Sequence, residues 1–319
     1  MTPTSPRPVQ EGGDLAGPAL LVHGGAGTFE RLAAEGARAR LEAALRDALS
    51  AGWEVLEKRG TALLATVEAV ASLEDSGLFN AGRGSSPTTG GRTETDASIM
   101  DGATGAAGAV CAATWPANPV RAALAVANLA AGDPAPDGAG WQPLLLAADG
   151  ADELARSAGL AAMPSPGTTG PHQPGGTREG GPTRELHSHG TVGAVAVDGT
   201  GHVAAATSTG GRPDQRPGRV GDSPIIGAGT WADDTTAAIS ATGAGEAFIL
   251  AGFAHRVDWA MRSGLELDGA VAGALAAVNS YKGFGGAIAV TASGRFTAIF
   301  NTPAMARGWR GADGMVVRV

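Results

Sequence analysis

Thr191, Thr207, Ser208, Thr209, Arg219, Asp222 and Thr242 crowd hydroxyls and charges into one short part of this chain, among small residues. Thr209 stands beside Gly210 and Gly211, and Thr242 precedes Gly243. Taken singly, these are strand threonines, loop charges and a helix cap. Thr191 is set apart by what precedes it. From Pro164 to Gly190, 12 of 27 residues are Gly or Pro, and Leu186 is the only sizeable apolar side chain. Such a segment cannot bury enough surface to offset its ordering entropy, and its composition reads as a linker or surface loop. Cleavage after Gly190 would make Thr191 a new N-terminus. An N-terminal threonine holds nucleophile and base in one residue, because its hydroxyl attacks and its own α-amine takes the proton. That amine titrates near pH 7.7–8.0 when unperturbed, which is about right for a base at neutral pH.

Other chemistries lack their residues. Neither lysine, Lys58 or Lys282, follows a glycine, so there is no phosphate loop of the GxxxxGK type, and no GxGxxG occurs. The six histidines show no HExxH or other ligand spacing, and one cysteine, Cys111, excludes CxxC motifs and an internal disulfide. A serine-hydrolase elbow is missing, since Gly221-Asp222-Ser223-Pro224-Ile225 lacks its second glycine. A net charge of −8 argues against nucleic acid as a partner. No apolar run is long enough to span a membrane. Met1 to Pro18 lacks the pattern of a signal peptide, which leads us to expect a cytoplasmic enzyme.

The elements that must position these residues follow from periodicity. Ala19 to Val22 is a short apolar run entering the tight loop His23-Gly24-Gly25-Ala26-Gly27. Leu41, Leu45, Leu49 and Leu56 predict an amphipathic helix over 34–58, and Leu63, Val67, Val70 and Leu73 a second to about 76. Strands are predicted at 97–100 and 108–113, and helices at 117–131 and 142–158. In the second half, 191–197 and 202–208 form a hairpin across Asp198-Gly199-Thr200-Gly201. Strands are expected near 225–229, 236–240, 285–291, 295–300 and 315–319, with helices over 243–263 and 267–280. Strands cluster in both halves and helices come in runs, which favours an α+β layered fold with largely antiparallel sheets. With 51 glycines in 319 residues and 4% aromatics, the core must be built from small side chains.

Six blocks carry a resemblance to a known family. They are His189 to Asp198, Ala204 to Gly211, Pro217 to Pro224, and Ala241-Thr242-Gly243-Ala244-Gly245-Glu246, with Val22 to Gly27 and Leu78 to Gly84 in the first half. Asp96 to Gly102 and Phe300 to Trp309 add to them. In this order over 19–158 and 189–319, they resemble the plant-type (type 2) L-asparaginases, or isoaspartyl peptidases, of the N-terminal-nucleophile hydrolases.

The resemblance implies a four-layer αββα sandwich of two stacked sheets flanked by helices. It also implies a chain plan: a flexible tail at 1–18, an α-subunit part at 19–158, a flexible linker at 159–190 ending at the cleavage site, and a β-subunit part at 191–319. Thr191 would be the nucleophile, released by self-cleavage of the Gly190–Thr191 bond, and Thr209 would orient it. Thr242 hydroxyl and Gly243 N–H would form the oxyanion hole. Arg219 would hold the substrate α-carboxylate with its planar fork, and Asp222 the α-ammonium. Asn80 is a further candidate for the site lining. Main-chain carbonyls of Leu73, Glu74, Ser76, Phe79, Ala81 and Arg83 would bind a structural sodium ion, with no cofactor needed for catalysis. The substrates implied are L-asparagine and β-aspartyl peptides, and the assembly a dimer of processed αβ heterodimers, without nucleic acid or membrane partners.

The chain departs from the family pattern at Arg83, where an apolar residue is expected, at Gln142-Pro143, and in its short linker. Competing readings are a glycosylasparaginase, a threonine endopeptidase of the same fold, and an unprocessed binding protein without catalysis.

Overall fold

The structure is a computed structural model that describes residues 8–27, 36–130, 142–164 and 190–319. Short apolar and small-residue runs become strands and the leucine-spaced segments become helices. The first part runs β1 (Val9–Asp14), β2 (Ala19–Gly27), α1 (Ala37–Glu57), α2 (Ala62–Ser76), β3 (Thr95–Asp101), β4 (Ala107–Ala113), α3 (Pro119–Ala130), β5 (Leu145–Ala147) and α4 (Ala148–Ser157). The second part runs β6 (Val192–Val197), β7 (Val203–Thr209), β8 (Thr230–Ala232), β9 (Ala238–Gly243), α5 (Gly245–Ala251), α6 (Phe253–Arg262), α7 (Leu267–Ser280), β10 (Gly285–Val290), β11 (Arg295–Phe300), β12 (Ala304–Gly311) and β13 (Gly314–Arg318).

The strands form two sheets. One has five strands in the order β1-β11-β10-β9-β8, and the other eight in the order β13-β12-β2-β6-β7-β3-β4-β5. Pairing is antiparallel throughout except between β4 and β5. The chain is therefore an α+β sandwich. Three apolar clusters separate its layers. Leu41, Leu45 and Leu49 of α1, with residues of α2 and α3, pack on Leu20, Val22, Ala194 and Ala206 of the larger sheet. Leu21, Val195, Val197 and Ala205 of that sheet meet Ala238, Ile288, Val290 and Phe296 of the smaller one. Ile239, Ala241 and Ala289 then pack under α5, α6 and α7. Each fully buried leucine contributes about 1.5–3 kcal/mol. No helix among the described residues is long and apolar enough to cross a membrane.

Period two decides which strand residues enter the space between the sheets. On β6 and β7, Ala194, Ala196, Ala204 and Ala206 face the helices, whereas Val195, Val197, Val203 and Ala205 face the other sheet. Thr207 and Thr209 continue the second face, as does Gly193. Ser208 turns the other way, to Glu74 of α2.

Several expectations change. The expected tail over 1–18 contains β1, which pairs backbone to backbone with β11; its sequence, Val9-Gln10-Glu11-Gly12-Gly13-Asp14, has no apolar alternation to announce a strand. The helix expected over 142–158 begins only at Ala148, behind β5. Residues 225–229 form a bend and a turn with a single bridge from Ile226 to Thr230, and the strand is β8. The helix expected over 243–263 is two helices, broken at Gly252 in the left-handed region with φ 55. β12 was not expected at all; it gains its place by pairing with β2 and β13 on either side. Most of the expected linker, 165–189, lies outside the described residues.

Candidate active site

Thr191 precedes β6, the strand next to β7 in the middle of the larger sheet. Its Oγ1 donates to Thr209 Oγ1 at 3.1 Å, at the end of β7. Thr209 Oγ1 in turn accepts from the Gly211 N–H at 3.1 Å. Asn80 braces this turn: its Nδ2 donates to Gly211 O at 2.6 Å, its main-chain O accepts from Gly210 N at 2.8 Å, and its Oδ1 accepts from Ser86 N at 2.8 Å. Asn80 therefore reaches the site as the support of a turn.

The Gly190–Thr191 bond lies against β2 and β9. A Cβ placed on Gly190 would sit 2.8 Å from Gly25 Cα and 3.2 Å from Thr242 Oγ1. A Cβ on Gly25 would sit 2.7 Å from Gly190 Cα, and Gly25 has φ +99. Two bare backbones thus touch at the bond that the resemblance marks for cleavage. Thr242, at the end of β9, is buried, and its Oγ1 has no hydrogen-bond partner among the described residues. A buried hydroxyl without a partner is costly, and a donor kept free beside Gly190 suits the stabilisation of an oxyanion.

The charged groups gather around Arg219 and Asp222. Arg219 is 18% exposed; its Nε and Nη2 approach Glu246 Oε1 at 3.0 and 2.9 Å, and its Nη1 donates to Gln215 Oε1 at 3.3 Å. Beside it lies a pocket of about 300 Å³ lined by Arg212, Gln215, Arg216, Arg219 and Glu246. Asp222 is buried, and burial pushes its carboxyl up to about 7 against the pull of Arg219. Asp96 of β3 is also buried; its carboxyl, which accepts from Ala112 N at 2.8 Å, is pushed up to about 6, again by burial. His23 is buried in the middle of β2, and burial drives its imidazole down to about 3, so the ring is neutral. The nearby Thr191 main chain opposes that shift, while His23 Nδ1 has no hydrogen-bond partner among the described residues.

The structure thus brings Thr191, Thr209, Thr242 and Gly190 together, and sets Arg219 beside Asp222 around Gly245. Gly243 closes β9 with φ 149, a conformation few side chains tolerate. Glu246, Asp96 and His23 were not among the expected site residues. Their signal was present: each lies inside a quoted block, and each is a titratable residue in an otherwise small-residue run.

The proposed sodium loop follows α2. Gly77 caps α2 in the left-handed region, and the helix's last carbonyls point toward the loop. Leu73 O accepts from Ser76 Oγ, Phe79 O from Ala81 N and Ala81 O from Gly84 N, so each keeps a second lone pair. Neutral oxygens of this kind fit a hard cation. No group of three or more His, Cys, Asp or Glu suited to a metal occurs among the described residues.

Comparison with known proteins follows the same residues. A family model described as asparaginase matches residues 16–318. A plant-type L-asparaginase of Pyrobaculum calidifontis is 41% identical, over 91% of this chain and 96% of its own length. An isoaspartyl peptidase of Escherichia coli is 37% identical over 91% of this chain and 92% of its own. An isoaspartyl peptidase/L-asparaginase of Danio rerio is 36% identical over 93% and 92%.

Proposed function

The chain belongs to the asparaginase family and is a hydrolase, and from that premise we propose how its residues hydrolyse the side-chain amide of L-asparagine or the isopeptide bond of β-aspartyl peptides. The observation that carries the reading is the Thr191–Thr209 contact at 3.1 Å, at a bond clasped between Gly25 and Thr242.

In the intact chain the Thr191 hydroxyl attacks the Gly190 carbonyl. The C–N bond breaks as the ester forms, which frees the α-amine, and water opens the ester to release the Gly190 carboxylate and the Thr191 hydroxyl. In the cut enzyme this amine takes the hydroxyl proton as Oγ1 attacks the substrate carbonyl. Thr242 Oγ1 and Gly243 N–H hold the oxyanion. The amine returns the proton to the leaving group, and a β-aspartyl ester remains on Thr191. Water, deprotonated by the same amine, releases aspartate. Thr209 fixes the direction of Oγ1. Arg219 binds the α-carboxylate, which competes with Glu246 for the guanidinium, and Asp222 binds the α-ammonium. The layered fold is then that of the N-terminal-nucleophile hydrolases. A sodium ion on the Leu73, Glu74, Ser76, Phe79, Ala81 and Arg83 carbonyls would stiffen the turn that carries Asn80. A dimer of cut heterodimers and a cytoplasmic setting complete the reading.

The test is intact-mass analysis with N-terminal sequencing of the purified protein, followed by assays on L-asparagine, β-aspartyl dipeptides and glycosylated asparagine. Chains 1–190 and 191–319 are expected, with activity on one of the first two substrates. A chain that hydrolyses either without ever splitting would sink the mechanism. Gly190→Ala should slow cleavage by about a hundredfold or more, because its Cβ meets the Gly25 backbone and shifts the scissile carbonyl. A gel time course reads this directly; wild-type cleavage would refute the clasp.

Asp222 predicts a pH dependence. In the empty site its carboxyl is pushed up to about 7 by burial. Below that pH the group is neutral and offers an ammonium no charge. KM for L-asparagine should therefore rise, approaching tenfold per pH unit, on going down from about pH 7 to 5. A KM that stays flat across this range would show that Asp222 does not bind the ammonium.

A further inference from the structure

Gln215 is buried, while Arg212, Pro213, Asp214 and Arg216 around it are exposed. Glutamine is mostly a surface residue, and burying its amide is costly unless the amide is hydrogen-bonded. Its Oε1 accepts from the Arg212 main-chain N–H at 3.0 Å and from Arg219 Nη1 at 3.3 Å. Both partners can only donate, so the end of the amide that faces them is the oxygen. The loop that carries this amide is tied down on both sides. Gln215 N donates to Arg212 O at 3.1 Å, and Gln215 O accepts from Thr89 N at 2.8 Å. Asp214 N donates to Pro87 O at 3.3 Å, and Gly218 N to Glu94 Oε2 at 2.7 Å. The amide also packs on Gly211, where a Cβ would lie 2.2 Å from Oε1 and 2.5 Å from Cδ.

Arg219 is therefore held from two sides. Glu246 Oε1 faces Nε and Nη2 at 3.0 and 2.9 Å, and Gln215 Oε1 faces Nη1. A guanidinium carries five N–H groups in a fixed fork. With one from each nitrogen turned to these acceptors, Nη1 and Nη2 keep one N–H each, which matches the two oxygens of a carboxylate. Glu246 alone would not leave that arrangement. An Arg–carboxylate pair favours two parallel bonds, one to each oxygen, and those would take up N–H groups that the substrate needs. The second acceptor also has to be neutral, because another carboxylate would cancel the charge that attracts the substrate, and an amide does not. Bare backbone leaves room around the fork. A Cβ on Gly221 would lie 3.1 Å from Nη1, and one on Gly245 would lie 3.1 Å from Nη2 and 2.9 Å from Asp222 Oδ1. An α-carboxylate and an α-ammonium share one carbon, so their two binders must converge, and Arg219 and Asp222 converge at Gly245.

We propose that Gln215 is a positioning residue that sets the Arg219 guanidinium for the substrate α-carboxylate. The preference for a free α-carboxylate then depends on a buried neutral amide as well as on the cation. This rests on Arg219 being the group that binds that carboxylate.

Gln215→Met tests it, since methionine keeps an unbranched side chain of similar length and removes the acceptor. KM for L-asparagine should rise about tenfold, as when a charged donor loses its partner, with kcat within about twofold. Self-cleavage at Gly190 should keep the wild-type rate, because it involves no free carboxylate. A double-mutant cycle decides between positioning and mere support of the loop. Added to Arg219→Ala, Gln215→Met should change kcat/KM by less than about twofold, because no guanidinium remains to be positioned. Support of the loop alone would cost the same factor in both backgrounds. Gln215→Leu, which also lacks the acceptor, serves if Gln215→Met folds poorly. An unchanged KM in Gln215→Met, or an equal further loss in the Arg219→Ala background, would overturn the proposal. Failure of the clamp reading would show separately, as a normal KM in Arg219→Ala itself.

Discussion

Thr191→Ala is expected to remain a single chain of 319 residues and to hydrolyse neither asparagine nor a β-aspartyl dipeptide above a residue of about 10⁻⁴ of the wild-type rate. The substitution removes the attacking oxygen from both reactions at once. It leaves Thr209, Thr242, Arg219 and Asp222 in place, so whatever rate survives comes from binding and the oxyanion donors. The fold should tolerate it, because Thr191 lies outside β6 proper and its side-chain partner is another hydroxyl. Thr191→Ser makes the matched comparison. It keeps the oxygen but drops the β-branch that restricts χ1, so it should cleave and turn over, more slowly than wild type. Mass spectrometry and a coupled ammonia assay on the same preparations decide the matter. A Thr191→Ala protein that turns over at even a few per cent of the wild-type rate would move the nucleophile elsewhere.

Arg219→Ala has the second largest expected effect. The guanidinium sits largely sheltered, with Nε and Nη2 on Glu246 and Nη1 on Gln215. Removing it takes away the fork for the α-carboxylate and leaves Glu246 facing the incoming anion. Both effects oppose binding, so kcat/KM should fall by roughly 10²–10³, mostly through KM. Cleavage at Gly190 involves no free carboxylate, and should proceed. Arg219→Lys should recover little, since a point charge cannot span the two oxygens as the fork does. Normal substrate affinity in Arg219→Ala would refute the clamp; failure to cleave would instead place Arg219 in maturation.

The elements that could be read from the sequence are those in which local pattern and final environment agree. Leu267–Ser280 was bounded to the residue, because its apolar spacing faces one cluster under the smaller sheet. The β6–β7 hairpin was likewise readable, since its turn residues and its small apolar strands point the same way. β1 and β12 were hidden because partners define them. Their own sequences are glycine-rich or arginine-rich, and the pairing with β11, or with β2 and β13, makes them strands. In the site, the residues of the quoted blocks come together in space, but their roles came from the resemblance. The buried hydroxyls of Ser98, Thr207 and Ser240 were missed. Their signal is a period of two: each lies two positions from Asp96, Thr209 or Thr242 on the same strand.

The order of strands in the larger sheet has a consequence for the life of the enzyme. β2, β3, β4 and β5 come from before Thr191, and β6, β7, β12 and β13 from after it, and the two sets are interleaved. β6 bonds to β2 on one side, and β7 to β3 on the other. A cut at Gly190 therefore divides the instructions for one sheet between two molecules. Before the cut, folding is unimolecular. After it, the native state can be regained only by an encounter of two partners, each carrying unpaired strand edges in the meantime. Maturation on this plan is a one-way gate, and the finished enzyme persists through the slowness of its unfolding, as a thing assembled once.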